Sequence, residues 1–321
     1  MPGKRGFEEQ ISTLESLREQ PQEARAIALK KALGAKNNFL AAKAADLVRE
    51  FDLEILAPEL LLAFNRFFEN ADKSDPQCWA KNAISRALAA FEHQDADVFL
   101  RGMQHIQMEP VWGGRADTAA TLRSTCALAL VQCRRLTESQ LLEHLVDLLA
   151  DKDKNVRADV ARAIEQVGSA SASLLLRLRA TLGNDEPEVL GACYTGVLRI
   201  DGKGAIPWAA GFLAAGDDSS AEAALAIAGM HCEEGIQALK ASLEHARDPW
   251  FRSVLLSAIA LTRQESATEF LLELVRKESL DAEAAIESIV RSMPSKEHME
   301  RLEKLVSGNA RLASVLAQRR T

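Results

Sequence analysis

The chain has 321 residues, 47% of them apolar, but only 5% aromatic and with a single Tyr, Tyr194. That length exceeds what one compact core normally fills, so it implies either two domains or one elongated repeat array. The net charge of −7 disfavours a duplex lying along the molecule, and no apolar run reaches the ~18 residues of a membrane span.

Ala and Leu dominate the apolar set. They are the best helix formers, whereas strands want β-branched and aromatic residues, so the expected fold class is all-α. The N-terminus has two early basic residues but no apolar core of a secretory signal, and "FEEQISTLESLREQ" (7–20) reads as a capping helix within 1–21. From residue 22 onward, apolar residues recur at three- and four-residue steps, the helix signature. The steps group into about nine helix pairs: 22–52, 54–91, 95–133, 138–168, 170–201, 203–230, 232–262, 264–292 and 295–320. The copies over 22–137 are degenerate, with long irregular pieces at 69–77 and 103–117. The copies over 138–321 are regular, with a period of about 29–33 residues, and one continuous solenoid is expected.

The punctuation agrees. Asp and Ser in "DKDKN" (151–155), "GDDSS" (216–220) and "RDP" (247–249) can cap the helix that follows. Pro187 and Pro249 suit a first helical turn, and Gly168, Gly183 and Gly216 suit helix ends. Laying the second helices over one another aligns Val156 with Leu122, Arg157 with Arg123 and Arg252, and Ala163-Ile164 with Ala129-Leu130 and Ala258-Ile259. Small residues at these steps let neighbouring helices approach, as stacked units require.

The string from Asp151 to Gly168, "DKDKNVRADVARAIEQVG", and its copies resemble HEAT repeats, in particular the short bacterial form of phycobilisome-lyase-like HEAT proteins. The resemblance is good over 117–320 and more degenerate over 22–110. It implies a right-handed α-α superhelix, a HEAT-like solenoid, and no particular activity. Leu190 replaces the Arg, and 217–230 lacks it, so the resemblance does not imply an unbroken Arg–Asp ladder.

"VWGGRAD" (111–117) is the stretch that most invites chemistry. By register it is the loop before the third second-helix, with Asp117 or Thr118 as N-cap and Trp112–Ala116 as the loop. Gly113 and Gly114 then serve a tight reversal and Trp112 plugs the joint. The functional alternative is an anion site of glycine N–H groups, a helix N-terminus, Arg115 and Arg123. It is not a phosphate loop, since neither the G-x-x-x-x-G-K-[ST] pattern nor a preceding strand is expected. A lyase or DNA-glycosylase-like reading requires Trp112, Asp117 and Arg115 or Arg123 to converge in one open cleft, with Trp79 and Trp208 as further aromatics.

The remaining candidates are weaker. Five scattered cysteines without a C-x-x-C pair suit buried thiols in a reducing cytosol, Cys126 and Cys133 sharing a helix face. His93 with Asp95 and Asp97 reads as a polar turn before it reads as a metal site. His231-Cys232 reads as a helix end and a packed thiol. Arg157 four residues after Asp153, and Arg252 four after Asp248, read as local cap-and-pair arrangements. Residues 1–137 are neutral and 138–321 carry the whole −7; Asp217 and Asp218 lie in an acidic stretch, 201–248, that could steer a basic partner.

The expected function is a cytoplasmic, non-catalytic scaffold that binds a protein partner on the concave second-helix face. Its candidate binding residues are Trp112, Arg115, Asp117, Arg123, Arg157, Asp217, Asp218 and Arg252. No catalytic residue, metal ligand or cofactor is expected. The alternatives are the enzyme on the Trp112–Asp117 edge and nucleic-acid binding by the N-terminal half, whose affinity would fall steeply with salt.

Overall fold

The computed structural model describes residues 11–319, and it is all-α apart from one small hairpin. No helix of the described residues is long and apolar enough to cross a membrane. The chain forms two compact units, 1–167 and 168–321. Of the expected capping helix 7–20, residues 7–10 lie outside the described residues, while 11–15 are α-helical and Ser16–Glu19 form a 3-10 turn.

The first unit contains helices α1 (Gln22–Leu33), α2 (Asn38–Glu50), α3 (Ala57–Arg66), the single turn α4 (Ala71–Ser74), α5 (Trp79–Ala90) and α6 (Ala96–Met103). After α6 come strands β1 (Met108–Val111) and β2 (Gly114–Asp117), then α7 (Ala120–Leu130), α8 (Glu138–Val146) and α9 (Lys154–Val167). The second helix of each pair packs on the next: α2 on α5, α5 on α7, α7 on α9. Periodicity explains the packing. In α7 the buried residues Leu122, Cys126 and Leu130 fall one turn apart, as do Val156, Val160 and Ile164 in α9. Small residues set the spacing. A Cβ on Gly102 in α6 would lie 2.3 Å from Cys126 Sγ in α7, so only glycine permits this approach.

The second unit contains α10 (Ala170–Leu182), α11 (Pro187–Asp201), α12 (Ile206–Ala210), α13 (Asp218–Ala228), α14 (Glu233–His245), α15 (Pro249–Leu261), α16 (Glu265–Arg276), α17 (Ala282–Arg291), α18 (Lys296–Val306) and α19 (Ala310–Gln318). The second helices again pack in succession: α11 on α13, α13 on α15, α15 on α17 and α17 on α19. The expected punctuation is present. Pro187 and Pro249 open α11 and α15, and Asp217 and Asp248 cap α13 and α15 by accepting from Ser220 N and Phe251 N, both at 2.9 Å.

All five cysteines are free and buried. Burial is the largest influence on the thiols of Cys78, Cys126, Cys133 and Cys193, holding Cys193 up at about 12 and Cys78 at about 11. Cys126 and Cys133 do not share a helix face, because α7 stops at Leu130 and Cys133 sits in the turn beyond, its Sγ 3.7 Å from His93 O.

Candidate functional site

The expected loop 112–116 is a β-hairpin. The strands pair antiparallel with Val111 opposite Gly114 and Met108 opposite Asp117, leaving Trp112-Gly113 as a two-residue connection. A strand does precede the glycines, contrary to expectation. Gly113 turns the chain at φ +90°, a value that L side chains rarely adopt. Trp112 plugs nothing: it is fully exposed at the tip.

Beneath the hairpin lies a buried polar network that contains the ion pair Asp75–Lys81, the carboxylate of Glu109, and Arg123 held between Asp117 and Asp151. Asp75 and Lys81 are both completely buried, with Lys81 Nζ 3.1 Å from Asp75 Oδ2. Two oxygens of Asp75 serve four donors: Ala80 N (2.9 Å) and Asn38 Nδ2 (3.0 Å) reach Oδ1, and Lys81 N (3.0 Å) and Lys81 Nζ reach Oδ2. Lys81 Nζ also donates to Phe67 O at 3.1 Å. The geometry is local in origin. Asp75 precedes the first turn of α5, so its carboxylate meets the N–H groups that no helical carbonyl can satisfy.

Glu109 is the one buried residue of β1 and ties the hairpin down. Its Oε1 accepts from Gln77 N (2.7 Å), Gln107 Nε2 (2.5 Å) and Thr118 Oγ1 (2.8 Å). Gln107 Nε2 also donates to Asp75 O at 2.8 Å, joining the hairpin to the Asp75 cluster. Its Oε1 accepts from His105 Nε2 at 3.0 Å, which places a proton on that nitrogen. Burial would raise the Glu109 carboxyl, but the donors outweigh it and hold the group below the ordinary carboxylate range.

Asp117 closes the other strand. Its Oδ1 accepts from Gln107 N and Ala119 N, both at 3.0 Å, and its Oδ2 from Arg123 Nη1 at 2.7 Å. Arg123 also donates to His105 O (3.0 Å) and grips Asp151 with two bonds of 2.8 and 3.0 Å. Burial opposes both charges, yet these bonds outweigh it: Asp117 stays below its usual value and Arg123 above its own.

This geometry corrects two expectations. Trp112 and Asp117 do not converge, because the register puts one at the tip and the other at the foot of the hairpin. Arg123 is not an outward anion ligand, since its guanidinium is buried and committed to two carboxylates and a carbonyl. Asp117 does cap the following segment, through Ala119 N. Arg115 is exposed and donates to Met108 O at 2.6 Å.

Among the other candidates, Arg157, Arg252 and Asp217 bond within the scaffold. Arg157 donates to Asp151 O at 2.6 Å, and Asp153 Oδ1 accepts from Asn155 N at 2.8 Å. Arg252 reaches past Asp248 to Asp281 of the next pair, at 2.5 and 2.9 Å, and to Leu243 O and Ala246 O. Within the acidic stretch, Asp217 caps α13 and Asp248 caps α15, while Asp201 holds Arg177 at 2.6 Å and Glu234 holds Lys203 at 3.1 Å. Asp218 is exposed in the first turn of α13. Asp95 caps α6 by accepting from Asp97 N, and among the described residues no three His, Cys, Asp or Glu side chains converge as a metal site.

The residues missed at the sequence level are Asp75, Gln107 and Glu109, and with Asp75 the pairing of Lys81. A readable signal existed: an Asp six residues before a base recurs as Asp75–Lys81, Asp117–Arg123 and Asp151–Arg157. The arrangement as a whole holds Asp75 and Arg123 in ion pairs and Glu109 by neutral donors, and presents Trp112, Val111, Met108 and Arg115 outward on a braced hairpin. No protein-family model matches the chain, and no curated protein matches it.

Proposed function

We propose that the chain is a HEAT-like protein-interaction scaffold, its helix pairs continuing as a right-handed superhelix with the second helices lining the concave, partner-binding face. One observation carries this reading. Within each unit the second helices stack in an unbroken row, and that row leaves large apolar residues in solvent: Phe39 and Trp79 on the first unit, Leu225 and Trp250 on the second. Phe39 and Trp79 meet edge to face at 5.4 Å. Exposed aromatic anchors on a rigid surface are what protein partners bury at the centre of an interface. The Arg123–Asp151 and Arg252–Asp281 bridges support the repeat reading, because each ties one second helix to the start of the next.

Two measurements test it. Small-angle scattering should give a radius of gyration well above the ~20 Å of a compact 321-residue chain; a value near 20 Å removes the solenoid. A photo-crosslinking residue at position 79 or 250 should trap a discrete partner in cells, whereas one at Leu62, exposed on the first-helix α3, should not. Equal trapping from all three positions, or none, removes the second-helix face.

A further inference from the structure

We propose that α10 is a self-association helix: its exposed leucine row, Leu174, Leu178 and Leu182, docks against the same row of a second copy of this chain, about a two-fold axis at Leu178. The sequence "SASLLLRLRATL" (171–182) places leucine on both sides of the helix. Leu176 and Ala180 are buried, and α10 packs on α11. Leu174, Leu178 and Leu182 stand on the opposite side, 67, 58 and 62% exposed. Spaced four apart, they form one continuous row on a single face. A lone exposed leucine is ordinary, but a helix apolar on both sides is normally covered on both.

Charge and spacing select the cover. α10 carries two charges, Arg177 and Arg179, and both are taken up within the chain. Arg177 bonds Asp201 at 2.6 Å and lies over the Trp208 ring at 4.6 Å, and Arg179 pairs with Asp185. The exposed residues beside the row, Ala170, Ser171 and Thr181, are neutral. An acidic or basic partner segment therefore finds no counter-charge here, whereas a second α10 brings a surface as neutral as its own. Residues four apart make the ridges that interdigitate when helices pack, and a helix with the same ridge matches them. The row is also symmetric about its midpoint. With two copies antiparallel, Leu178 faces Leu178 of the second copy, and Leu174 faces Leu182 of the second copy. Such a contact is isologous, the kind on which closed dimers are built.

Three leucines alone fall short of the roughly 800 Å² per partner of a standard interface. The neighbouring first-helix segment adds to them. Residues 204–216, "GAIPWAAGFLAAG", contain no charge, and the Arg177–Trp208 contact places them beside α10. Pro207 and Gly211 are exposed there, and a Cβ on Gly211 would meet nothing within 4 Å, so a side chain of the second copy can approach this backbone closely. The combined neutral surface suits a reversible dimer at the small end of the specific interfaces.

The test is sedimentation velocity of the full-length protein from about 1 to about 200 µM. The dimer fraction of wild type should rise across that range. Leu178→Glu sets two like charges against each other on the axis and should weaken the dimer at least tenfold, and Leu178→Lys should do the same. An equimolar mixture of the two variants should restore a dimer, because only this arrangement brings position 178 against itself. Position 178 is exposed, so both variants should keep the wild-type circular dichroism. Leu225→Glu, on the second-helix α13, should dimerise as wild type does. The proposal is overturned if wild type stays monomeric to the top of the range, as it would if the row served an unrelated partner. It is also overturned if Leu178→Glu dimerises as wild type does, or if the mixture stays monomeric. The dimer and the second-helix reading fail independently. Crosslinking from positions 79 and 250 does not involve α10, and scattering from the Leu178→Glu variant reports the radius of gyration of the single chain.

Discussion

Lys81 shows what a single residue can hide. On a helix of Ala and Leu, an isolated Lys reads as a solvated face, since lysine is almost never fully buried without a partner. Here the partner is Asp75, six residues earlier, and the Phe67 carbonyl takes another ammonium proton. The pair was illegible because the segment 69–77 was read as an irregular loop, and a loop gives no reason to bury a carboxylate. The spacing of six, and not four, was the usable signal. Removing one member of such a pair leaves a buried charge uncompensated, which costs more than the pair contributes relative to an apolar replacement. Lys81→Met should therefore lower unfolding stability by about 3 kcal/mol in urea titrations. In a double-mutant cycle with Asp75→Asn the coupling should be about 1–2 kcal/mol. Additive losses would mean that the two charges do not sense one another.

At the scale of elements, the helix pairs were legible because burial follows a 3.6-residue period, and the caps and prolines stand where orphan N–H groups need them. The hairpin was not. "MEPVWGGRAD" buries a glutamate where a strand pattern asks for an apolar residue, and Pro110 argues against any central strand. What makes it a hairpin is the two-residue Trp112-Gly113 connection together with a polar foot, and a polar foot has no hydropathy signature. The two connection residues should respond oppositely to substitution. Gly113→Val forces a β-branched residue to φ +90° and should cost about 1–2 kcal/mol. Trp112→Ala removes only exposed surface and should stay within about 0.5 kcal/mol. Thermal or urea denaturation checks both. Equal losses would mean that Trp112 packs against something in solution.

For the whole molecule, the buried network belongs entirely to the unit 1–167, and this predicts an asymmetric response to acid. Glu109 and Asp117 have folded-state values below their unfolded ones, so they stabilise the native unit fully above about pH 4–5 and lose that contribution as pH falls through the folded values. His105 acts in the same direction. Its burial lowers its value, so it favours the folded state above about pH 6.5 and opposes it below. In the unit 168–321 the lowered carboxylates, such as Asp201, Glu233, Glu234 and Glu269, are nearer to solvent and screened. Each unit holds several stacked pairs, enough neighbours to fold alone. Expressed separately, both fragments should unfold cooperatively at pH 7. Between pH 7 and pH 3 the urea midpoint of 1–167 should fall by clearly more than that of 168–321. Asp117→Asn should remove part of that difference, since the amide oxygen can still accept from Gln107 N and Ala119 N but carries no charge for Arg123. Equal acid sensitivity of the two fragments would assign the pH dependence to general charge repulsion and detach it from the hairpin foot.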